Sequence, residues 1–245
     1  MSEHMIVRAG EKELKFLYEN AFTQYRIDTF YTKEPETIKW IDSFEPNATM
    51  WDIGANIGIY TCYAAVVKGT HVVAFEPLPF NMNSLATNIL LNKINHKVTV
   101  FTAPLTNRPH IGPLNMGSCS PAGSGSTFSE IYTADGNPIE KSVPLNMFGF
   151  SADSLYDLFH FSPPNYIKID VDGIEHLILA GMKKVLSHPD VKSVLVELFD
   201  DFKEQVDRTD FILKKNGFEL IEVGKSPLYT EGFDSHVHNY IYRRV

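Results

Sequence analysis

The feature that most constrains the fold is a short apolar strand that runs into a turn of small residues and then into a helix. It reads Trp51-Asp52-Ile53-Gly54-Ala55-Asn56-Ile57-Gly58-Ile59-Tyr60-Thr61. Glycines at 54 and 58 let the backbone turn sharply and approach a ligand closely, and the first turn of the next helix offers unpaired N–H groups. This pattern predicts a nucleotide-type site at the end of the first strand of an α/β sheet.

An acidic residue stands at the end of the next predicted strand. Glu76 follows Gly54 by about 20 residues and directly precedes Pro77, at the place where a carboxylate can bind the hydroxyl pair of a ribose. The alternative is an ordinary surface glutamate before a proline. The order of strand, turn, helix, strand and acid favours the ligand-binding interpretation.

The sequence of the turn also indicates which of two kinds of cofactor the site can bind. A dinucleotide fingerprint reads Gly-x-Gly-x-x-Gly, but Asn56 stands where its second glycine would be, so a pyrophosphate would lose its close approach to the backbone. Asp52 would repel a phosphate, whereas it could accept hydrogen bonds from an ammonium group such as that of a methionyl moiety. The turn therefore favours S-adenosylmethionine over NAD.

Short β-branched runs alternate with helical patterns along the rest of the chain, which is typical of βαβ units around a parallel sheet. The predicted strands are 50–53, 71–75, 98–101, 166–171, 193–198, 218–223 and 239–245. The loop between the last two has no room for a helix, so these strands should pair antiparallel. We expect an α/β fold with a doubly wound, mostly parallel seven-stranded sheet whose last strand is antiparallel.

The 245 residues are expected to form a single domain of four parts. Residues 1–49 should form an N-terminal helical cap, residues 50–105 a cofactor-binding half and residues 151–245 an acceptor-side half. Between them, residues 106–150 are rich in Pro, Gly, Ser and Asn and lack strong periodicity, which indicates an insertion. Its stretch 112–127 would suit a lid over a polar acceptor, with disorder as the alternative.

Three ordered motifs make this chain similar to the FkbM family of class I methyltransferases. They are the Asp-x-Gly-Ala-Asn-x-Gly turn, Phe75-Glu76-Pro77 and Lys168-Ile169-Asp170-Val171-Asp172-Gly173-Ile174-Glu175. The resemblance covers roughly residues 31–245 and implies O-methylation of hydroxyls on sugars or polyketide-type natural products, with S-adenosylmethionine as cofactor. It also implies that the methionine part of the cofactor lies against Asp52, Gly54, Ala55, Asn56, Gly58 and Thr61, and the ribose against Glu76 and Pro77.

The resemblance implies that Asp170 and Asp172 line the transfer site, although the family commonly has Glu where this chain has Asp172. Physical reasoning agrees in part, because ligands of open α/β sheets bind outside the carboxyl ends of strands, where Asp170, Asp172 and Glu197 should share a crevice. Their proximity should raise at least one pKa, which suits a general base. A turn and helix cap is the alternative for Asp172. Clustered carboxylates could also bind a divalent cation through their oxygen atoms. The sequence does not reveal a complete set of ligands, so we assign no metal.

Two histidines are further candidates for the base. His236 and His238 lie in the predicted loop between the last two strands, which should open on the same edge of the sheet as Asp170. An ordinary histidine pKa near 6.5 suits deprotonation of an acceptor hydroxyl, and a solvated loop residue is the alternative. We favour Asp170, because a base at the end of a buried strand holds its geometry better than a loop residue.

The amino-acid composition limits the kinds of molecule that this protein is expected to bind. The net charge of −8 opposes binding to nucleic acid and no basic patch offsets it, so we expect a small-molecule or glycan acceptor. Cys62 and Cys119 are too few for a disulfide framework, which indicates the cytoplasm, and no apolar run approaches the roughly 18 residues of a membrane helix. An NAD-dependent Rossmann oxidoreductase and a non-catalytic nucleotide-binding interaction module stay open as alternatives.

Overall fold

Strands and helices alternate along most of the chain. In the computed structural model, which describes residues 3–245, the strands are β1 (His4–Ala9), β2 (Lys12–Leu17), β3 (Thr49–Ile53), β4 (His71–Phe75), β5 (Val98–Phe101), β6 (His110–Met116), β7 (Thr127–Phe128), β8 (Val143–Gly149), β9 (Tyr166–Ile169), β10 (Ser193–Phe199), β11 (Phe218–Lys225) and β12 (Val237–Arg244). The α-helices are α1 (Ala21–Asp28), α2 (Pro35–Asp42), α3 (Ile59–Tyr63), α4 (Pro79–Leu91), α5 (Ala152–Phe159), α6 (Glu175–Ala180), α7 (Lys183–Ser187) and α8 (Lys203–Lys215).

Seven strands form the central sheet in the order β11-β12-β10-β9-β3-β4-β5. The strands from β10 to β5 pair parallel, because helical crossovers connect them. Strand β12 runs antiparallel to both β10 and β11. The predicted doubly wound, mostly parallel seven-stranded sheet with an antiparallel last strand is therefore confirmed.

Apolar side chains cover both faces of this sheet. Successive residues of a strand point to opposite faces, so Met50 packs in one buried cluster and Trp51 in the other. The first cluster includes Leu14 and Phe16 of the N-terminal strands, and the second includes Ile178 of α6. Burial on both faces explains why the sheet strands read as nearly continuous apolar runs.

The N-terminal part is not a helical cap, which corrects the prediction for residues 1–49. Strands β1 and β2 form an antiparallel hairpin, and the helices α1 and α2 follow it. The hairpin is held against α4, where the backbone N–H of Leu17 donates to Oδ1 of Asn88 at 2.7 Å. Half of the residues of β2 are charged and β1 has no regular alternation of apolar and polar residues, so the sequence pattern was too weak to predict these strands.

The insertion forms a small antiparallel sheet of its own, in the order β7-β6-β8. Its register pairs Ile111 with Phe148 and Leu114 with Leu145. Pro113 and Pro144 lie inside these strands and disguise them, because proline is rare in strand interiors. The alternative of disorder is therefore wrong for the strand residues, and a loop over 117–126 remains between β6 and β7.

One predicted helix is broken into two. The pattern on Ile178, Met182 and Val185 predicts a continuous helix, but α6 ends at Ala180 and α7 begins at Lys183. At the break, a Cβ on Gly181 would lie 2.4 Å from the carbonyl oxygen of Thr106, so only glycine permits this approach. Within residues 3–245, the helices are all too short or too polar to cross a membrane.

Candidate active site

The turn after β3 brings two parts of the sheet edge into contact. Gly54 has φ +86°, and a Cβ there would lie 1.8 Å from the carbonyl oxygen of Asp170. The backbone N–H groups of Gly54 and Ala55 both donate to the carbonyl oxygen of Phe75, at 2.9 and 3.0 Å. Glycine at this position therefore allows the first turn to lie directly against the ends of β4 and β9.

Glu76 closes the same turn from the neighbouring strand. Its Oε2 accepts from the backbone N–H of Asn56 at 2.7 Å, and its Oε1 accepts from that of Leu78 at 2.8 Å. The carboxyl group is buried, and burial raises its pKa to about 7. Asn56 reaches this contact in a left-handed conformation, with φ +52°. Two strand-end turns thus hold one carboxylate at the edge of the sheet.

A cavity of about 890 Å³ opens at the carboxyl ends of the parallel strands, as expected for an open α/β sheet. Of the predicted cofactor residues, Gly54, Asn56, Glu76 and Pro77 line it. Ala55 lines a smaller adjoining pocket of about 40 Å³. We call this side of the cavity the cofactor end.

The structure corrects the predicted cofactor contacts of Asp52, Thr61 and Gly58, which lie behind the turn rather than in the cavity. Oδ2 of Asp52 accepts from the hydroxyl of Thr61 at 2.5 Å, and both side chains are buried. Gly58 begins α3 with φ +84° and packs against Leu85. These residues fix the turn from inside the protein.

Next to the Gly54 turn, in the part of the cavity that we call the acceptor end, carboxylates of three elements converge. Carboxylate oxygens of Glu34, Asp170 and Glu197 lie within 4.8 Å of one another. Nζ of Lys168 donates to Oδ2 of Asp170 at 2.6 Å, and Nζ of Lys33 donates to Oε1 of Glu34 at 2.6 Å. Two of the three carboxylates are therefore paired with lysines.

The pKa values of the Asp170 and Glu197 carboxyl groups are shifted in opposite directions. Burial by itself raises the pKa of Asp170, but Lys168 and Lys33 outweigh burial and hold that pKa below its usual value. Burial, together with the charge of Asp170, raises the pKa of Glu197 well above its usual value. Like charges in one crevice thus raise one pKa, as expected: the pKa of Glu197 is raised, while that of Asp170 is lowered.

Asp172 is bound to the insertion. Its Oδ2 accepts from the backbone N–H of Gly125 at 2.7 Å and from that of Ser126 at 3.4 Å. Glu175 fixes the turn that carries it, because Oε1 of Glu175 accepts from the N–H groups of Val171 and Gly173. Asp172 lines the cavity, and its hydrogen bonds identify it as an anchor for the insertion loop.

The loop of the insertion is anchored at the cofactor end. The carbonyl oxygen of Gly123 accepts from Nδ2 of Asn56 at 2.8 Å and from Nδ2 of Asn81 at 3.1 Å. Residues 122–126 line the cavity. Side chains, rather than other strands, therefore hold this loop in place, which favours the lid interpretation over disorder.

The two predicted histidines lie away from the cavity, which corrects their placement. Nδ1 of His238 is 2.8 Å from Oδ2 of Asp200, and Nδ1 of His236 is 3.0 Å from Oδ2 of Asp201. Within residues 3–245, the part of β12 that lines the cavity is Val237 and Asn239. Because side chains alternate along a strand, His238 points to the opposite face.

The sequence reasoning missed Lys33, Glu34 and Asn239 as members of the site. Nδ2 of Asn239 donates to Oε2 of Glu34 at 3.2 Å. The sequence does indicate that Lys168 and Glu197 belong to a charged cluster, because each is a charged residue inside an otherwise apolar strand. Buried charges require partners.

The fold and the site together define a class I methyltransferase. The sheet order with an antiparallel strand near one edge, the glycine turn after the first central strand and the acid after the next are its structural features. The chain belongs to the FkbM methyltransferase family, whose sequence profile, described as the methyltransferase FkbM domain, matches residues 52–220. The NAD-dependent oxidoreductase alternative is therefore wrong.

Two kinds of relatives support this class. The chain is 26% identical over 195 residues to the hexuronic acid methyltransferase AglP of Haloferax volcanii, covering 79% of this chain and 74% of that protein. In fold, it is similar to a precorrin-6y C5,15-methyltransferase of Geobacter metallireducens, with a TM-score of 0.51 and 14% identity over 86% of this chain and 87% of the other. It is also similar to a tRNA methyltransferase of B. subtilis, with a TM-score of 0.52 and 11% identity over 87% and 66%.

The cofactor of this protein is S-adenosylmethionine, and the cofactor end suits it. Glu76 presents a buried carboxylate to the cavity, in the position that suits a ribose hydroxyl pair. Gly54 lies directly against the backbone of Asp170, and any side chain there would force the turn away from the end of β9. Asn56 removes the close phosphate approach that a dinucleotide needs, which agrees with a cofactor that lacks a pyrophosphate.

Proposed function

We propose that this protein transfers a methyl group to a hydroxyl of a sugar in a glycan, or of a hydroxylated natural product. The observation that carries the proposal is Asp170, an ionised carboxylate that lines the cavity directly beside the cofactor turn. The similarity to a hexuronic acid methyltransferase supports a sugar acceptor. Carboxylate and amide side chains at the acceptor end, such as Glu34 and Asn239, are suitable partners for sugar hydroxyls.

The reaction forms a carbon–oxygen bond on the acceptor and moves one proton away from that oxygen. When bound, the cofactor would supply an electrophilic methyl group on its sulfonium sulfur; the sulfur–methyl bond would break as the carbon–oxygen bond forms, and S-adenosylhomocysteine would be the leaving group. Asp170 accepts the proton of the attacking hydroxyl, and its low pKa makes it a weak base. A weak base suffices, because a hydroxyl becomes strongly acidic once its oxygen bonds to the methyl carbon, so the proton moves late. Lys168 fixes the carboxylate of Asp170 through an ion pair of 2.6 Å.

A small-molecule or glycan acceptor fits the charge of this protein better than a nucleic acid does. The net charge is −8, and the cavity is lined by Glu34, Glu76, Asp170, Asp172 and Glu197. An RNA backbone would meet repulsion at this surface. A cytoplasmic location is part of the proposal and rests on the two cysteines, both unpaired.

The acceptor class is tested with S-adenosylmethionine that carries a deuterated methyl group. The purified protein is offered hexuronic acid glycosides, neutral hexose glycosides, hydroxylated aromatic compounds and tRNA, and the products are analysed by mass spectrometry. We expect label on a sugar, in a linkage that survives mild alkali, as an ether does and a methyl ester does not. Label on tRNA, an alkali-labile product, or cofactor binding without transfer to any acceptor would each contradict the proposal.

A further inference from the structure

Helix α1 presents an unusual set of side chains to the cavity. Phe22, Tyr25 and Arg26 all line it, and their spacing of three and four residues places them on one face of the helix. The rings of Phe22 and Tyr25 are 62% and 42% exposed. Exposed aromatic rings that are grouped at the opening of a cavity are a feature of ligand-binding grooves. Helix α1 also lies outside the residues 52–220 that match the family profile.

Arg26 has hydrogen-bonding capacity that the protein does not use. Its Nε donates to the carbonyl oxygen of Ala122 at 3.2 Å, and this contact orients the guanidinium group. Its two Nη atoms donate no hydrogen bond to any residue in the range 3–245. The same side chain also lines the smaller adjoining pocket. A held guanidinium with free Nη groups suits a carboxylate, which it can bind through two parallel hydrogen bonds.

The other cations around these pockets are already paired. Lys33 is bound to Glu34 and Lys168 to Asp170, each at 2.6 Å. Lys192 and other surface lysines lie outside the pocket linings, as far as the described residues extend. The cavity is otherwise rich in carboxylates, so an anionic acceptor would be repelled unless Arg26 neutralised it.

We propose that helix α1 recognises an acidic sugar, with Arg26 bound to the carboxylate of the acceptor and Phe22 and Tyr25 packed against its ring. This inference rests on the proposed function and names the acceptor class more closely. The apolar C–H face of a sugar ring matches the face of an aromatic side chain. A carboxylate that is bound to Arg26 is held by the guanidinium group, which leaves a hydroxyl of the same sugar to accept the methyl group.

A carboxylate could also come from the methionine end of the cofactor. We assign the acceptor carboxylate to Arg26 because the aromatic residues beside it lie on the exposed side of the cavity, where Tyr25 contacts Tyr229 of the loop between β11 and β12. Arg26 also lines the smaller pocket beside the Gly54 turn, so it lies within reach of either source of carboxylate. The experiment therefore measures the two sources separately.

The test uses two acceptors that differ only in charge, a hexuronic acid glycoside and the matching neutral hexose glycoside. KM is measured for both with wild type, Arg26→Gln and Arg26→Lys, and binding of S-adenosylhomocysteine is measured by calorimetry. Arg26→Gln should raise the KM ratio of acidic to neutral acceptor at least about 10-fold, the scale of a lost charged hydrogen-bond pair. Arg26→Lys should raise it less. Arg208→Gln, at an exposed arginine of α8, is the matched control and should leave the ratio unchanged.

Each other outcome has a distinct meaning. Weaker S-adenosylhomocysteine binding with an unchanged acceptor ratio would assign Arg26 to the cofactor and overturn this inference. Equal loss with both acceptors would mean a structural role for Arg26 and would overturn it as well. If wild type methylates no sugar, the proposed function itself fails. As a second variant, Phe22→Ala should raise KM for both glycosides, because the ring contact does not depend on charge, and an unchanged KM would refute the aromatic contact.

Discussion

The two ends of the cavity are built in different ways. At the cofactor end, Gly54 and Glu76 sit in two turns that are close in sequence, and they are held mainly by backbone hydrogen bonds. At the acceptor end, Lys33, Asp170 and Asn239 come from distant parts of the chain and are held by side-chain contacts. A local sequence motif can therefore specify the cofactor end, whereas the acceptor end is assembled by tertiary packing.

The largest effect is expected at the acceptor end. Asp170→Asn keeps the shape of the side chain but removes its basicity, so turnover should fall about 100-fold or more while S-adenosylhomocysteine affinity stays near that of wild type. Turnover is measured with saturating cofactor and binding by calorimetry. Asp157→Asn, at an exposed position of α5, is the control for an ordinary charge loss. Near-normal turnover of Asp170→Asn would mean that another group accepts the proton, and it would contradict the assignment of the chemical step to the acceptor end.

A substitution at the cofactor end should mainly weaken cofactor binding, whereas Asp170→Asn should mainly lower turnover. Glu76→Ala removes the proposed ribose acceptor, so S-adenosylhomocysteine binding should weaken by about 1 to 3 kcal/mol, the range for hydrogen bonds to a charged group. Calorimetry on Glu76→Ala and on Glu11→Ala, an exposed residue of the hairpin turn, provides the comparison. If both variants bind as tightly as wild type, Glu76 only closes the turn.

Glu175, which accepts hydrogen bonds from the turn after β9, should make the free energy of unfolding depend on pH. Burial raises the pKa of Glu175 from 4.5 to about 8, so between these values the folded state holds more protons than the unfolded state. Stability should therefore fall as pH rises through this window, by at most about 1.4 kcal/mol per pH unit for one group. Denaturant unfolding from pH 5 to 8 should show a smaller slope for Glu175→Gln than for wild type. An identical slope in both proteins would show that Glu175 titrates normally.

The smallest expected effect is on the insertion loop over residues 117–126. The loop is anchored to the cofactor end by Asn56 and Asn81, and to the turn between β9 and α6 by Asp172. As a lid, it should exchange its amide hydrogens more slowly when cofactor and acceptor analogue are both bound. Asn81→Ala should speed exchange in the free protein, by the few-fold that loss of one hydrogen bond allows. Equal exchange in all of these states would leave the loop without a lid function.

The same contrast explains which sequence predictions succeeded. The seven-stranded sheet and the Gly54 turn follow from local patterns, because strand alternation and positive φ depend on neighbouring residues. Asp52 and Thr61 belong to the same motif, yet they pair with each other behind the turn. Their identities were visible in the sequence, but the direction of their side chains depends on how β3 and α3 pack.

Residues of the acceptor end were harder to predict. His238 was misplaced because the strand β12 begins at Val237, two residues before the predicted start, and the alternation of its side chains decides what faces the cavity. Glu34, to which Lys33 is bound, precedes α2 and meets β12 only in the folded protein. No local pattern could pair residues that are so distant in the chain, although a lone charge in an apolar strand, as at Lys168, marks where partners are needed.

The central claim is that an ionised carboxylate at the acceptor end takes the proton of a hydroxyl, and the pH dependence of a single turnover tests it most directly. Methyl transfer is measured with saturating cofactor and glycoside from about pH 5.5 to 8, so that binding does not limit the rate. Because ion pairs hold the pKa of Asp170 below its usual value, the rate constant should stay flat across this range. A rate constant that falls below about pH 6.5, as a histidine base requires, would contradict the account.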